Sequence, residues 1–221
     1  MTSLLRKYQN LNNWYLYLLN MVIYCIMIFM QYRFVQTDQY YELYVKPLFH
    51  SQVDYVQAVA ESRSFEIYNY LWIPIHVGAM ILLIAICLFI GLNVFNYSIT
   101  LKNCITITAK SIVIFSLNSL IVTVLKACGV ITYNSNSIDD DYFFQSIGRL
   151  FIPFELPDLI YSLLEKINIA EVLFCILLSF MTARVLSIKF RRSLLLTSCI
   201  YLLGTIIYIC FTEFFNILLT N

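Results

Sequence analysis

Hydrophobic positions in this chain neither alternate nor trace one helical stripe; they run in long blocks separated by polar or charged stretches. A block of roughly 17–25 apolar residues matches the ~30 Å hydrocarbon core of a bilayer crossed at 1.5 Å per residue. Such blocks lie at about residues 14–30, 71–94, 105–125, 169–186 and 194–215. The pattern predicts an all-α, polytopic membrane protein, a bundle of five transmembrane helices forming one membrane domain over 1–221. The third block is the most polar, carrying Thr106, Thr108, Ser111, Ser116, Asn118, Ser119 and Thr123. Hydroxyls at these spacings suit helix-to-helix contact, so this span is expected to be the most enclosed. Arg6 and Lys7 precede the first block as in a signal peptide, but the bulky Gln31-Tyr32-Arg33-Phe34 comes after it where a small-residue cleavage site would stand. A retained anchor is expected.

The segments 31–70 and 126–168 are too long and too patterned to be simple connections. Between Asp38 and Glu66 acids are interleaved with Tyr40, Tyr41, Tyr44, Phe49, Tyr55 and Phe65, and Pro47 divides the stretch. Tyrosine favours the headgroup layer, which predicts one or two short helices lying on the outer leaflet. Apolar residues at Leu156, Leu159, Ile160, Leu163, Leu164 and Ile167 keep helical spacing, with Pro157 suited to a first turn; they predict an interfacial amphipathic helix at about Pro157–Asn168. The run Asn134 to Asp141 reads as a solvated acidic loop, with a weak divalent-cation site as the alternative.

Composition sharpens this picture. The 221 residues are 61% apolar and 12% charged, with a mean hydropathy of +0.78, against about 45–50% and about 25% in soluble domains. A formal net charge of +1 excludes a nucleic-acid binder built on a basic surface. The charge is sorted, however. With the amino terminus inside, Arg6, Lys7, Lys102, Lys110, Arg184, Lys189, Arg191 and Arg192 fall on the inner side without one acid, and all thirteen acids fall at or toward the outer side with Arg33, Lys46, Arg63, Lys126, Arg149 and Lys166. Basic residues in short loops stay cytoplasmic, so the expected location is the cell inner (plasma) membrane, amino terminus cytoplasmic and carboxyl terminus outside.

Chemistry is sparse. No phosphate loop, HExxH, GxSxG or CxxC is present, and the seven cysteines stand singly, mostly in apolar runs where a thiol packs as a small apolar group. No catalytic residue, metal ligand set or cofactor is expected. His50 is expected at the surface. His76, after Pro74 in span two, joins Lys126 and Glu171 at comparable outer depth as a candidate polar intramembrane cluster. Two readings stand for it: helix ties, or a proton or ligand site. Asn20, Asn93 and Asn118 are read as helix glue. Arg184, Lys189, Arg191 and Arg192 form an inner basic cluster with two readings, an ordinary positive-inside anchor or a site of lipid or partner contact.

The closing hairpin, Ile167-Asn-Ile-Ala-Glu-Val-Leu-Phe-Cys-Ile-Leu-Leu-Ser-Phe-Met and then Leu186-Ser-Ile-Lys-Phe-Arg-Arg-Ser-Leu-Leu-Leu, together with five spans, an inner amino terminus and a polar third span, resembles the Yip-type five-span membrane proteins, specifically the small bacterial members. The likeness covers about Leu71 to Phe211. It implies the five-span fold and no catalytic residue. Eukaryotic relatives meet Rab-type GTPases through a long cytosolic amino-terminal region, and only about thirteen residues precede span one here, so that partnership is not carried over. The expected function is a non-catalytic accessory or scaffolding subunit of a membrane complex, with the bilayer and a protein as partners and no nucleic acid; the alternative is a permease subunit or small transporter with a polar site near the outer leaflet.

Overall fold

The computed structural model describes residues 12–133, 138, 143–147, 160, 164 and 167–220, and among them it is built of helices joined by turns, with no strand. Six long helices succeed one another: α1 Asn13–Met30, α2 Gln52–Val94, α3 Leu101–Ser111, α4 Val113–Ala127, α5 Ile169–Val185 and α6 Phe190–Thr220. Four stretches among the described residues are long and apolar enough to cross a membrane: Asn13–Val35, Gln52–Val94, Leu101–Ala127 and Phe190–Thr212. The chain is therefore built to be embedded in a membrane. The fifth expected span, 169–186, corresponds to α5, whose 17 residues reach about 25 Å, short of the ~30 Å core. The expected third span proves the most enclosed, with 61% of its most apolar window buried against 28%, 28% and 17% in the other three.

Local chemistry sets the ends. α1 runs on as a π-helical turn, Gln31–Val35, and Thr37 then accepts from the Tyr40 N–H to start Asp38–Tyr40. A second π turn, Tyr41–Val45, and the 3-10 turn Lys46–Leu48 come next, with Pro47 in the opening positions of the latter. The break at Pro47 is present, but the segment beyond it is not the short surface helix expected there. Nothing between Gln52 and Leu71 stops a helix, so this stretch joins span two as one helix of 43 residues, about 65 Å long. Thr100 caps α3, accepting from the Asn103 N–H. Gly129, at φ +71, closes α4, and the Val130 N–H reaches back to the Leu125 carbonyl at 2.9 Å. Asn168 caps α5, accepting from the Glu171 N–H at 2.9 Å. The acidic run Asn134–Asp141, except Ile138, and the amphipathic helix at Pro157–Asn168, except Ile160, Leu164, Ile167 and Asn168, lie outside the described residues, as do Arg6, Lys7, Arg149 and Lys166.

The chain divides into two compact bodies, one of Met1–Leu16, Ala79–Phe115 and Tyr142–Asn221, the other of Tyr17–Gly78 and Ser116–Asp141. In the first, Leu88, Leu92, Ile107, Phe174 and Leu178 are buried, and Phe174 stacks on Phe115 with centroids 4.6 Å apart. α2 and α6 meet where glycine permits it: a Cβ on Gly91 would stand 2.6 Å from the Ile200 side chain, and one on Gly204 would stand 3.3 Å from Cys87 Sγ. In the second body, Val35, Tyr40, Tyr41 and Ile138 form a small core with Val45, Tyr55, Val59, Ala127 and Tyr133 packed around it. Two of the tyrosines expected at the headgroup layer thus serve as core residues. All seven cysteines are unpaired thiols.

Gly91→Ala should lower the thermal midpoint in detergent, by the equivalent of roughly 1–3 kcal/mol. Adding Ile200→Ala removes the atoms that its Cβ would strike, so the double variant should lose less than the sum of the two single ones. Strict additivity would contradict the close approach.

Candidate functional site

The α5–α6 hairpin gathers most of the singled-out residues. It folds at Leu186 and Ser187, the latter at φ 54, and residues equidistant from this turn face one another. Glu171 meets Tyr201, whose hydroxyl donates to the carboxylate at 2.5 Å. Ser193 donates to the Ser179 carbonyl at 2.7 Å, and the Ser179 and Thr197 hydroxyls lie 2.5 Å apart. Ser179 also reaches the Cys175 carbonyl and Thr197 the Ser193 carbonyl, four residues back in each helix. Two hydroxyl hydrogens serve these three contacts, so one back-bond yields whenever the hydroxyls bond each other. Ser179, Ser193 and Thr197 are fully buried, and the ladder gives the two helices the polar ties that hydrophobicity cannot supply in lipid.

α3 packs on α5 in the same body. Phe115, just past α3, stacks on Phe174 near the start of α5. α5 carries Thr182 and α3 carries Thr108. Both are fully buried, and both hydroxyls lack a hydrogen-bond partner. Two residues on, Lys110 is only 7% exposed. It stands nine residues past Leu101, about 14 Å along the helix. Its side chain is buried within the chain, which hydropathy does not reveal.

The residues of the expected cluster, His76, Lys126 and Glu171, are described within their own bodies. Glu171 belongs to the first body and the other two to the second. The His76 ring stands edge-on to Tyr24 at 5.8 Å, while Lys126, buried at 5% exposure, donates to the Ile138 carbonyl at 2.6 Å. Tyr17 donates to the Pro74 carbonyl at 2.8 Å, and Ser116 donates to the fully buried Asn20 at 2.5 Å. Asn20 is helix glue, as expected. Asn93 instead donates to the Phe89 carbonyl in its own helix, and His50 is exposed.

Around the second body's core, Tyr40 lies 5.4 Å from Tyr41, 5.6 Å from Tyr44 and 5.9 Å from Tyr133. Tyr133 donates to the Val35 carbonyl at 3.1 Å; burial, then the neighbouring Tyr44, pushes its phenol above the usual range. Arg63 pairs with Asp38 and lies over the Tyr41 ring at 5.7 Å. Arg184, Lys189, Arg191 and Arg192 are exposed; Arg184 lies over Phe180 at 4.7 Å and Arg192 over Tyr97 at 5.5 Å. No group of three or more His, Cys, Asp or Glu among the described residues is placed to hold a metal ion.

Reasoning from sequence missed Tyr201, Thr182 and the burial of Lys110. Tyr201 was findable, since it is the reflection of Glu171 through the 186–187 turn. No family model, curated protein or solved structure matches the chain.

Tyr201→Phe should destabilise the protein in detergent by about 1–3 kcal/mol, because the Glu171 carboxylate loses its donor. Glu171→Gln keeps an acceptor and should cost less. An unchanged thermal midpoint for Tyr201→Phe would show that the contact is no tie.

Proposed function

We propose that this chain is a five-span integral protein of the inner (plasma) membrane, with a cytoplasmic amino terminus and an outer carboxyl terminus, that serves without catalysis or cofactor as an accessory or scaffolding subunit of a membrane complex. The observation that carries this reading is the first half of α2. From Gln52 to Tyr70 the helix continues about 28 Å beyond its apolar block, and Val53, Val56, Phe65, Ile67 and Tyr68 on it are exposed. A continuous helix bearing apolar side chains outside its spanning portion offers a protein partner a firm surface. The polar side chains buried within the spans supply a further argument, because Asn20, Ser179, Ser193 and Thr197 are engaged in ties between helices.

For α5, Asn168 at one end and Arg184 in the last turn put polar groups at both limits of a short span, a length that local bilayer thinning accommodates. Eight basic residues without an acid on the inner side support the orientation. Five spans and a polar third one also agree with kinship to the Yip-type proteins, which we include in the proposal.

A permease subunit is the second reading. It is favoured by Lys110, buried two residues from Thr108, and by the orphaned hydroxyls of Thr108 and Thr182, since an intramembrane charge beside unspent polar groups marks substrate or ion pathways.

Native purification in mild detergent should bring down a stoichiometric protein partner, and Val56→Lys with Ile67→Lys should release it while the chain still elutes as a folded species. Repeated recovery of the chain without a partner would overturn the scaffold reading. Reporter fusions after Thr132 and after Phe190 should report opposite sides of the membrane; the same side for both would overturn the topology.

A further inference from the structure

The turn between α2 and α3 and the turn between α5 and α6 form one basic corner. Arg192, in the first turn of α6, lies over the ring of Tyr97, which precedes α3, so the two turns are neighbours. Lys102, Arg184, Lys189, Arg191 and Arg192 are all exposed there, and neither Val94–Cys104 nor Arg184–Leu194 contains an acid. Folding stability does not account for this arrangement. Lys102 sits in the first turn of α3, and Arg191 and Arg192 in the first turn of α6, where the positive end of each helix dipole opposes a cation. Only Arg184, in the last turn of α5, has the favourable sign. Side chains that cost stability alone are compensated when an anion sits among them. The stacked guanidinium of Arg192 is already oriented, so it loses little freedom on pairing with a planar array of oxygens. The Tyr97 hydroxyl has no partner of its own.

We propose that this corner binds the phosphodiester headgroup of an anionic phospholipid in the leaflet that meets these turns. Apolar helices end there, which sets the cations at headgroup depth, and a phosphate supplies the negative charge that neither turn carries. The site deepens the membrane-subunit reading and rests on α5 and α6 ending at the bilayer surface. It needs no particular protein partner and no particular side of the membrane.

The full chain, purified in mild detergent, is mixed with phosphatidylglycerol or with phosphatidylcholine of the same acyl chains, and retained lipid is counted by native mass spectrometry. Phosphatidylglycerol should be retained saturably and phosphatidylcholine should not. Lys189→Gln, Arg191→Gln and Arg192→Gln together should weaken retention about a hundredfold, near fivefold per cation lost. Arg192→Lys, which keeps the charge and the fold but loses the planar fork, should weaken it severalfold. Arg33→Gln with Arg63→Gln, neutralised elsewhere, should leave it unchanged. Equal retention of both lipids, or undiminished retention by both the triple variant and Arg192→Lys, would overturn the proposal. Binding of poly-glutamate without phosphatidylglycerol would overturn it too, assigning the corner to an acidic protein. Failure to find a protein partner, or reporters that reverse the orientation, would leave lipid retention intact, so the two readings fail separately.

Discussion

Hydrocarbon offers no hydrogen bonds, so a polar group carried into a membrane gains by finding its partner in the protein. That constraint organises each body of this chain. In one, Ser179, Ser193 and Thr197 lace α5 to α6, and the Glu171–Tyr201 contact closes the hairpin at the end away from its turn. In the other, Asn20 takes the Ser116 hydroxyl and Pro74 the Tyr17 hydroxyl. Because Leu and Ile gain little by leaving lipid for another helix, such ties and the close approaches at Gly91 and Gly204 replace the apolar burial that drives folding in water.

Outside the spans the physics reverts to that of soluble proteins. Tyr40 and Tyr41 bury their rings and Tyr133 secures its hydroxyl on Val35. The ion pair of Arg63 with Asp38 contributes little in comparison, since the two side chains are 54% and 89% exposed and surface pairs are typically worth about 1 kcal/mol or less. Pairing buried aromatics with one long helix gives the protein an ordered surface beyond its apolar blocks, and the functional proposal depends on that surface.

Much of the fold was legible because membrane crossing demands long apolar blocks that nothing else explains. The enclosure of the third span could be read from its hydroxyls, and the glue role of Asn20 from its isolation among apolar residues. Elsewhere the sequence was ambiguous for definite reasons. Residues 52–70 carry acids and aromatics that suit a surface helix as well as the extension of a span, and only the absence of a breaker before Leu71 separates the two. The burial of Lys110 depends on the helix face it occupies, which a charge count along the chain does not reveal. His76, Lys126 and Glu171 were grouped by expected depth, and depth carries no information about which face each residue occupies. Tyr201 emerges only when α5 is reflected through its turn.

Buried polar contacts between helices thus hold this protein together in a solvent that gives them no alternative. A double-mutant cycle on Asn20→Val and Ser116→Ala, read from unfolding free energies in detergent micelles, isolates one such contact. A coupling of about 0.5–1.7 kcal/mol favouring the native pair is expected. A coupling indistinguishable from zero, with each single variant as stable as the parent, would show that the helices are held by something else.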